Sequence, residues 1–138
     1  MKQRQTNRWT EALATGIHTI DQQHYELLTN INDLIRMHQA GQSTQALDEL
    51  LPAFKTYVLF HFSEEEKLLA RNAGGTEFER QHLAQHLEFS QEIETQYRRR
   101  SSRTDAVIAE ELGLYMEMWL TTHIAGLDHQ LARLVQTR

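Results

Sequence analysis

The chain has 138 residues, two-fifths apolar and a quarter charged, enough for one domain around one core. It has no cysteine, which excludes disulfides, thiolate metal sites and cysteine nucleophiles. Its net charge of −5 argues against general nucleic-acid binding. No apolar stretch reaches membrane-spanning length, and no apolar run follows the basic residues of the first five positions. The expectation is a cytoplasmic, monomeric protein with no membrane partner.

The sparse breakers, Pro52 and six glycines, favour long helices over many turns. Residues 1–18 read as an N-terminal arm with Trp9 as an anchor, and residues 19–136 as the helical body of one domain spanning 1–138. The first helix runs from about Ile20 to Gln39. Its stripe is Ile20, His24, Leu27, Ile31 and Leu34, spaced by fours and threes. Thr19-x-x-Gln22 has the form of a capping box, and Gly41 ends the segment. The second helix follows Ser43 and reaches about Asn72, with Leu47, Leu51, Phe54, Val58, His61, Glu65 and Leu68 on its stripe. Pro52 predicts a kink or break near Leu50. Ala73-Gly74-Gly75 closes it.

The third helix opens on a second capping-box pattern, Thr76-x-x-Glu79, and carries Phe78, His82, His86, Phe89 and Ile93. It ends in Arg98-Arg99-Arg100, charge that suits a helix C-terminus. The fourth runs from about Thr104 to Val135, with Ile108, Leu112, Tyr115, Trp119, His123, Leu127, Leu131 and Leu134. Four helices joined by short loops predict an all-α, up-down-up-down antiparallel four-helix bundle.

Each stripe carries histidine where leucine belongs. His24, His61 with Glu65, His82 with His86, and His123 all face the expected core. A buried polar group without a partner costs about 1–3 kcal/mol, so a metal in the core is the economical explanation. Residues four apart share a helix face, so His61/Glu65 and His82/His86 each send two ligands one way. Imidazole and carboxylate suit iron, zinc or manganese. With Asp128 the set has seven members, too many for one ion and suited to two ions sharing carboxylates. His123 and Asp128 are five apart, roughly 140° out of phase on a regular α-helix. A π-type widening between them, eased by Gly126, would align them.

As they stand, Ile20-Asp21-x-Gln23-His24, His61-Phe62-x-Glu64-Glu65, His82-x-x-x-His86 and His123-Ile124-x-x-x-Asp128 follow one another, one set per helix. In these motifs the chain resembles the hemerythrins, especially bacterial single-domain members, over about Ile17 to Leu134. The loop Ala73-Gly74-Gly75-Thr76 departs from the Tyr-Pro pair frequent in bacterial relatives. The resemblance implies a non-heme di-iron centre. His82, His86 and His123 would hold one iron, and His24 and His61 the other. Glu65 and Asp128 would bridge them together with an oxo or hydroxo group. Dioxygen would bind reversibly at the two-histidine iron, in an oxygen pocket formed by Leu27, Phe60, Trp119, Leu120 and Ile124. Ala125 would leave an access path for gas or small anions, and nitric oxide is a further candidate ligand. The expected function is a carrier, store or sensor and not an enzyme. The alternatives are a di-iron oxidase, peroxidase or nitric-oxide-handling enzyme, an oxygen- or redox-sensing signalling domain, or a structural or signalling module in which a metal such as zinc only staples the bundle. His18, His38 and His129 have no matching role and are expected at the surface, as is Glu64.

Overall fold

The computed structural model describes residues 13–136, so the expected Trp9 anchor lies outside the described residues. Among them there are six α-helices and two π turns, and no strand. Helix α1 spans His18–Gln39. Helices α2 (Ser43–Tyr57) and α3 (Ser63–Ala73) form one rod through a π turn at Val58–Phe62. Helix α4 spans Glu77–Arg99. Helices α5 (Asp105–His123) and α6 (His129–Gln136) form the fourth rod through a second π turn at Ile124–Asp128. The four rods run up-down-up-down as an all-α bundle around one apolar cluster, to which all four rods contribute.

The helix ends show which local signals act. Thr76 caps α4, its hydroxyl accepting from Glu79 N at 3.2 Å, while Glu79 Oε1 accepts from Gly75 N at 3.0 Å. This is the reciprocal pattern of a capping box, shifted by one donor. Thr104 caps α5 by accepting from Val107 N at 3.3 Å. The Thr19 capping box does not form, because α1 already begins at His18 with Ile17 at its N-cap. Asp21 does the work instead. Its carboxylate accepts from Thr15 N, Thr15 Oγ1 and Gly16 N, folding the preceding segment back onto the first turn. Gln136 Nε2 donates to Thr15 O at 3.2 Å and ties the last helix to the same segment.

Pro52 does not break its helix. It is exposed, as is Asp48, so the carbonyl that loses its donor at Asp48 stays solvated. The departure from α geometry comes later, at Val58–Phe62. A π turn inserts one residue and shifts the phase of everything after it. Leu69 is therefore fully buried, where the regular stripe put Leu68.

Candidate metal centre

All seven side chains singled out in the sequence converge in the bundle core. His24, His61, Glu65, His82, His86, His123 and Asp128 are each at most 2 % exposed. Each helical rod delivers its share: α1 gives His24, the second rod gives His61 and Glu65, α4 gives His82 and His86, and the fourth gives His123 and Asp128. The second π turn lies between the last two and puts residues five apart on one face, as the spacing requires. Gly126 is not the cause. Its φ is not positive, and a Cβ there would meet nothing within 4 Å.

The donor atoms form two groups. One contains Glu65, His82, His86, His123 and Asp128, the other His24, His61, Glu65 and Asp128, and within each all donors lie within 4.8 Å of one another. Both carboxylates belong to both groups. Asp128 Oδ1 lies 2.8 Å from His82 Nε2 and 2.9 Å from His123 Nε2, while its Oδ2 lies 2.8 Å from His24 Nε2. Glu65 Oε1 lies 3.0 Å from His82 Nε2 and 3.7 Å from His86 Nε2, while its Oε2 contacts His61 Nε2. Each carboxylate thus turns one oxygen to each group.

Proximity does not satisfy these atoms. The Nε2 atoms of His24, His61, His86 and His123, with Glu65 Oε2 and Asp128 Oδ2, are buried and make no hydrogen bond. Six orphaned polar atoms shared between two adjoining donor groups fit metal ions, which would satisfy them together.

Without metal, the charges respond to one another. Burial alone would lower His24 and His82, but Asp128 and Glu65 outweigh it and push both up to about 9. His123 is raised in the same way. His86 moves down, because burial prevails over its longer contact with Glu65. Burial works against ionised Glu65, yet a hydrogen bond with Asp128 and the surrounding imidazoles hold it below the usual carboxylate range, and Asp128 is held low by His123 against both burial and the Glu65 charge.

Most of the apolar side chains expected around an open coordination position are buried. Leu27, Trp119, Leu120 and Ile124 all belong to the core cluster. Phe60 does not, being 63 % exposed, because the first π turn rotates it and Leu59 outward. Ala125 is exposed as well. The inward ring is Phe62, which stacks on His86 with centroids 3.8 Å apart and planes within 2°. Tyr57 stacks on His61 at 4.6 Å, and Trp119 on His123 at 4.2 Å. The roles of Phe62, Tyr57, Gln23 and Gln85 escape a stripe reading. One signal existed for the glutamines: both stand immediately before a core histidine, as Gln23-His24 and Gln85-His86.

Of the remaining histidines, His18 is exposed and His129 half-buried. His38 is also half-buried and not free, bonding Ser43 Oγ at 2.7 Å and Glu110 Oε2 at 2.8 Å. Glu64 is exposed, as expected.

A four-rod bundle with two donor groups sharing two carboxylates defines a dinuclear metal protein of the non-heme type. The chain matches the hemerythrin HHE cation-binding domain over residues 15–135. It is 32 % identical to proteins named Bacteriohemerythrin from Pseudomonas paraeruginosa and Pseudomonas aeruginosa, over 94 % of this chain and 87 % of theirs. It is 31 % identical to one of the same name from Stenotrophomonas maltophilia, over 90 % of this chain and 78 % of that one. No solved structure matches it. The chain belongs to the hemerythrin family, and it is a non-heme iron-binding protein whose cofactor is a di-iron centre. No helix among the described residues is long and apolar enough to cross a membrane.

Proposed function

We propose that this protein binds dioxygen reversibly at a di-iron centre held by the seven buried side chains. His82, His86 and His123 hold one iron, His24 and His61 the other, and Glu65 and Asp128 bridge the two. The observation that carries this reading is the inequality of the two donor groups. They share both carboxylates and differ by one imidazole, three against two. The two-histidine group, with four donors against five, would leave its iron more room for an added ligand. Leu27, Trp119, Leu120 and Ile124 belong to the buried apolar cluster, and apolar surroundings suit a small apolar gas.

The donor chemistry favours binding over catalysis. Five of seven donors are neutral imidazoles, whereas carboxylate-rich di-iron bundles supply mostly glutamates. Fewer anionic donors make high oxidation states harder to reach, so the protein's contribution is to hold, shield and release. A carrier, store or sensor could each use such a centre.

The test is metal analysis followed by spectroscopy. Two irons per chain are expected. The visible spectrum of the anaerobic ferrous protein should change on admitting oxygen and return on removing it. His61→Ala should abolish that response. Irreversible oxidation with peroxide consumed would replace this reading by an enzymatic one, and a single zinc per chain would end both.

A further inference from the structure

The centre is built twice over. Gln23 Oε1 faces His61 Nδ1, and Gln85 Oε1 faces His123 Nδ1 at 2.7 Å. Each glutamine precedes its histidine by 38 residues and reaches it from the neighbouring rod. Each histidine is stacked on the aromatic residue four positions before it, Tyr57 for His61 and Trp119 for His123. Each glutamine and its aromatic also line an open cleft, of about 350 Å³ beside His61 and about 250 Å³ beside His123. Gln23, Tyr57 and His61 thus correspond position for position with Gln85, Trp119 and His123. The other three imidazoles have no such glutamine: the Nδ1 atoms of His24, His82 and His86 make no hydrogen bond, and His86, stacked on Phe62, has only the Glu66 carboxylate 3.6 Å from its Nδ1.

We infer that Gln23 and Gln85 are paired positioning residues, each locking one ligand imidazole of one iron in the Nδ1–H tautomer. This rests on His61 and His123 being ligands. A carboxamide oxygen accepts but carries no charge. It therefore fixes which nitrogen bears the proton and leaves Nε2 free to coordinate, without drawing the imidazole towards imidazolate as a carboxylate would. The stacked ring fixes the plane, and the glutamine fixes rotation within it. The two glutamines sit at the edges of clefts, so they also stand between these N–H groups and solvent. Losing such an outer partner typically costs about 10–100-fold in metal affinity.

The test uses the full chain loaded with cobalt(II), whose unpaired electrons shift the imidazole N–H proton signals out of the crowded spectrum. Five shifted, exchangeable signals are expected, one per histidine. Gln23→Leu should speed solvent exchange of one signal at least tenfold and leave four unchanged, and Gln85→Leu should do the same to a different one. Gln23→Glu and Gln85→Glu should restore protection while moving the affected signal further, because the acceptor is kept and charged. No shifted N–H signals at all would overturn the ligand assignment together with this inference. Five signals indifferent to all four substitutions would overturn the inference alone, as would a uniform change in all five. Should the leucine variants not fold, the isosteric glutamate variants carry the test, and failure of each to move one signal overturns the inference.

Discussion

The two ends of the bundle bury polar groups in opposite ways. At the end opposite the metal centre, Gln96 is 2 % exposed yet fully partnered by protein. Its amide donates to Glu92 at 2.9 Å, and its oxygen accepts from Arg99, itself paired with Glu111. Ile31, Leu34, Ile35, Leu47, Leu51, Ile93, Ile108 and Leu112 belong to the buried apolar cluster, an ordinary core. At the other end, six donor atoms point at one another with no protein partner. One end is therefore complete as a polypeptide, and the other leaves buried donors that metal ions would satisfy. The same helices run through both, so the difference lies in side chains and in the two π turns that aim them.

Removing the metal should break this comparison open with the largest effect. A ligand present at a thousandfold over its dissociation constant adds about 4 kcal/mol, and each kcal/mol moves the midpoint of a chain this size by about 2–4 °C. Chelation should thus lower Tm by about 10 °C or more. Hydrogen exchange should speed up around His24, His61, His82 and His123 while amides near Ile31, Leu51 and Leu112 stay protected. Uniform loss of protection along every helix would show that the ends are not separable.

Next in size is a substitution at the apolar end. Leu112 is fully buried, and Leu112→Ala should cost about 2–5 kcal/mol by lost burial and a cavity. Denaturant unfolding measures it, with two metals per chain expected to remain. Metal loss in that variant would mean that the apolar end sets the centre's geometry directly.

Protonation separates the ends by pH. In the metal-free protein His24 and His82 titrate at about 9 against an ordinary 6.5, because Asp128 and Glu65 outweigh burial. The charged imidazoles stabilise the metal-free fold fully below pH 6.5, and that contribution fades as pH rises through 9. Metal needs the neutral rings, so loading at pH 7 should release about two protons from these residues. Calorimetry in two buffers of different ionisation enthalpy counts them. Affinity should rise by about a hundredfold per pH unit near neutrality from this linkage, and no proton release at pH 7 would contradict the assigned charges.

How much of this was legible in the sequence follows the same division. The apolar end was almost fully readable, because a regular α-helix converts spacing into facing without error, as at Leu47, Leu51 and Phe54. The seven polar core residues were readable where the spacing was regular, and Asp128 was reachable only through a widened turn or family likeness. The widened turn at Ile124–Asp128 could be inferred from a mismatch between two polar residues. The one at Val58–Phe62 leaves no such mismatch, since His61 and Glu65 are four apart either way, and so Phe60 was assigned inward when it is Phe62 that packs. The glutamine partners were hidden because a stripe reading asks only which residues are apolar. A half-buried amide beside a buried histidine looks like surface until the neighbouring rod is in place.

The smallest effect offers the cleanest control on the comparison. Thr76 and Thr104 cap α4 and α5 by the same bond, a hydroxyl accepting from the backbone N–H three residues on. Each threonine-to-alanine change should cost about 1 kcal/mol of stability, measured by denaturant unfolding of the metal-free protein, with Thr76→Ala the costlier because its hydroxyl also donates to Ala73 O at 2.6 Å. Their effects on the centre should differ. Thr76 opens the helix that carries His82 and His86 within its first three turns, while Thr104 opens α5 at the end remote from His123. A frayed first turn at Glu77–Arg80 loosens the base from which His82 is aimed. Thr76→Ala should therefore weaken metal binding measurably, and Thr104→Ala should leave it unchanged. Equal metal affinities in the two variants would mean that His82 is held by its contacts across the core, with Glu65 and Asp128, and not by the start of its own helix.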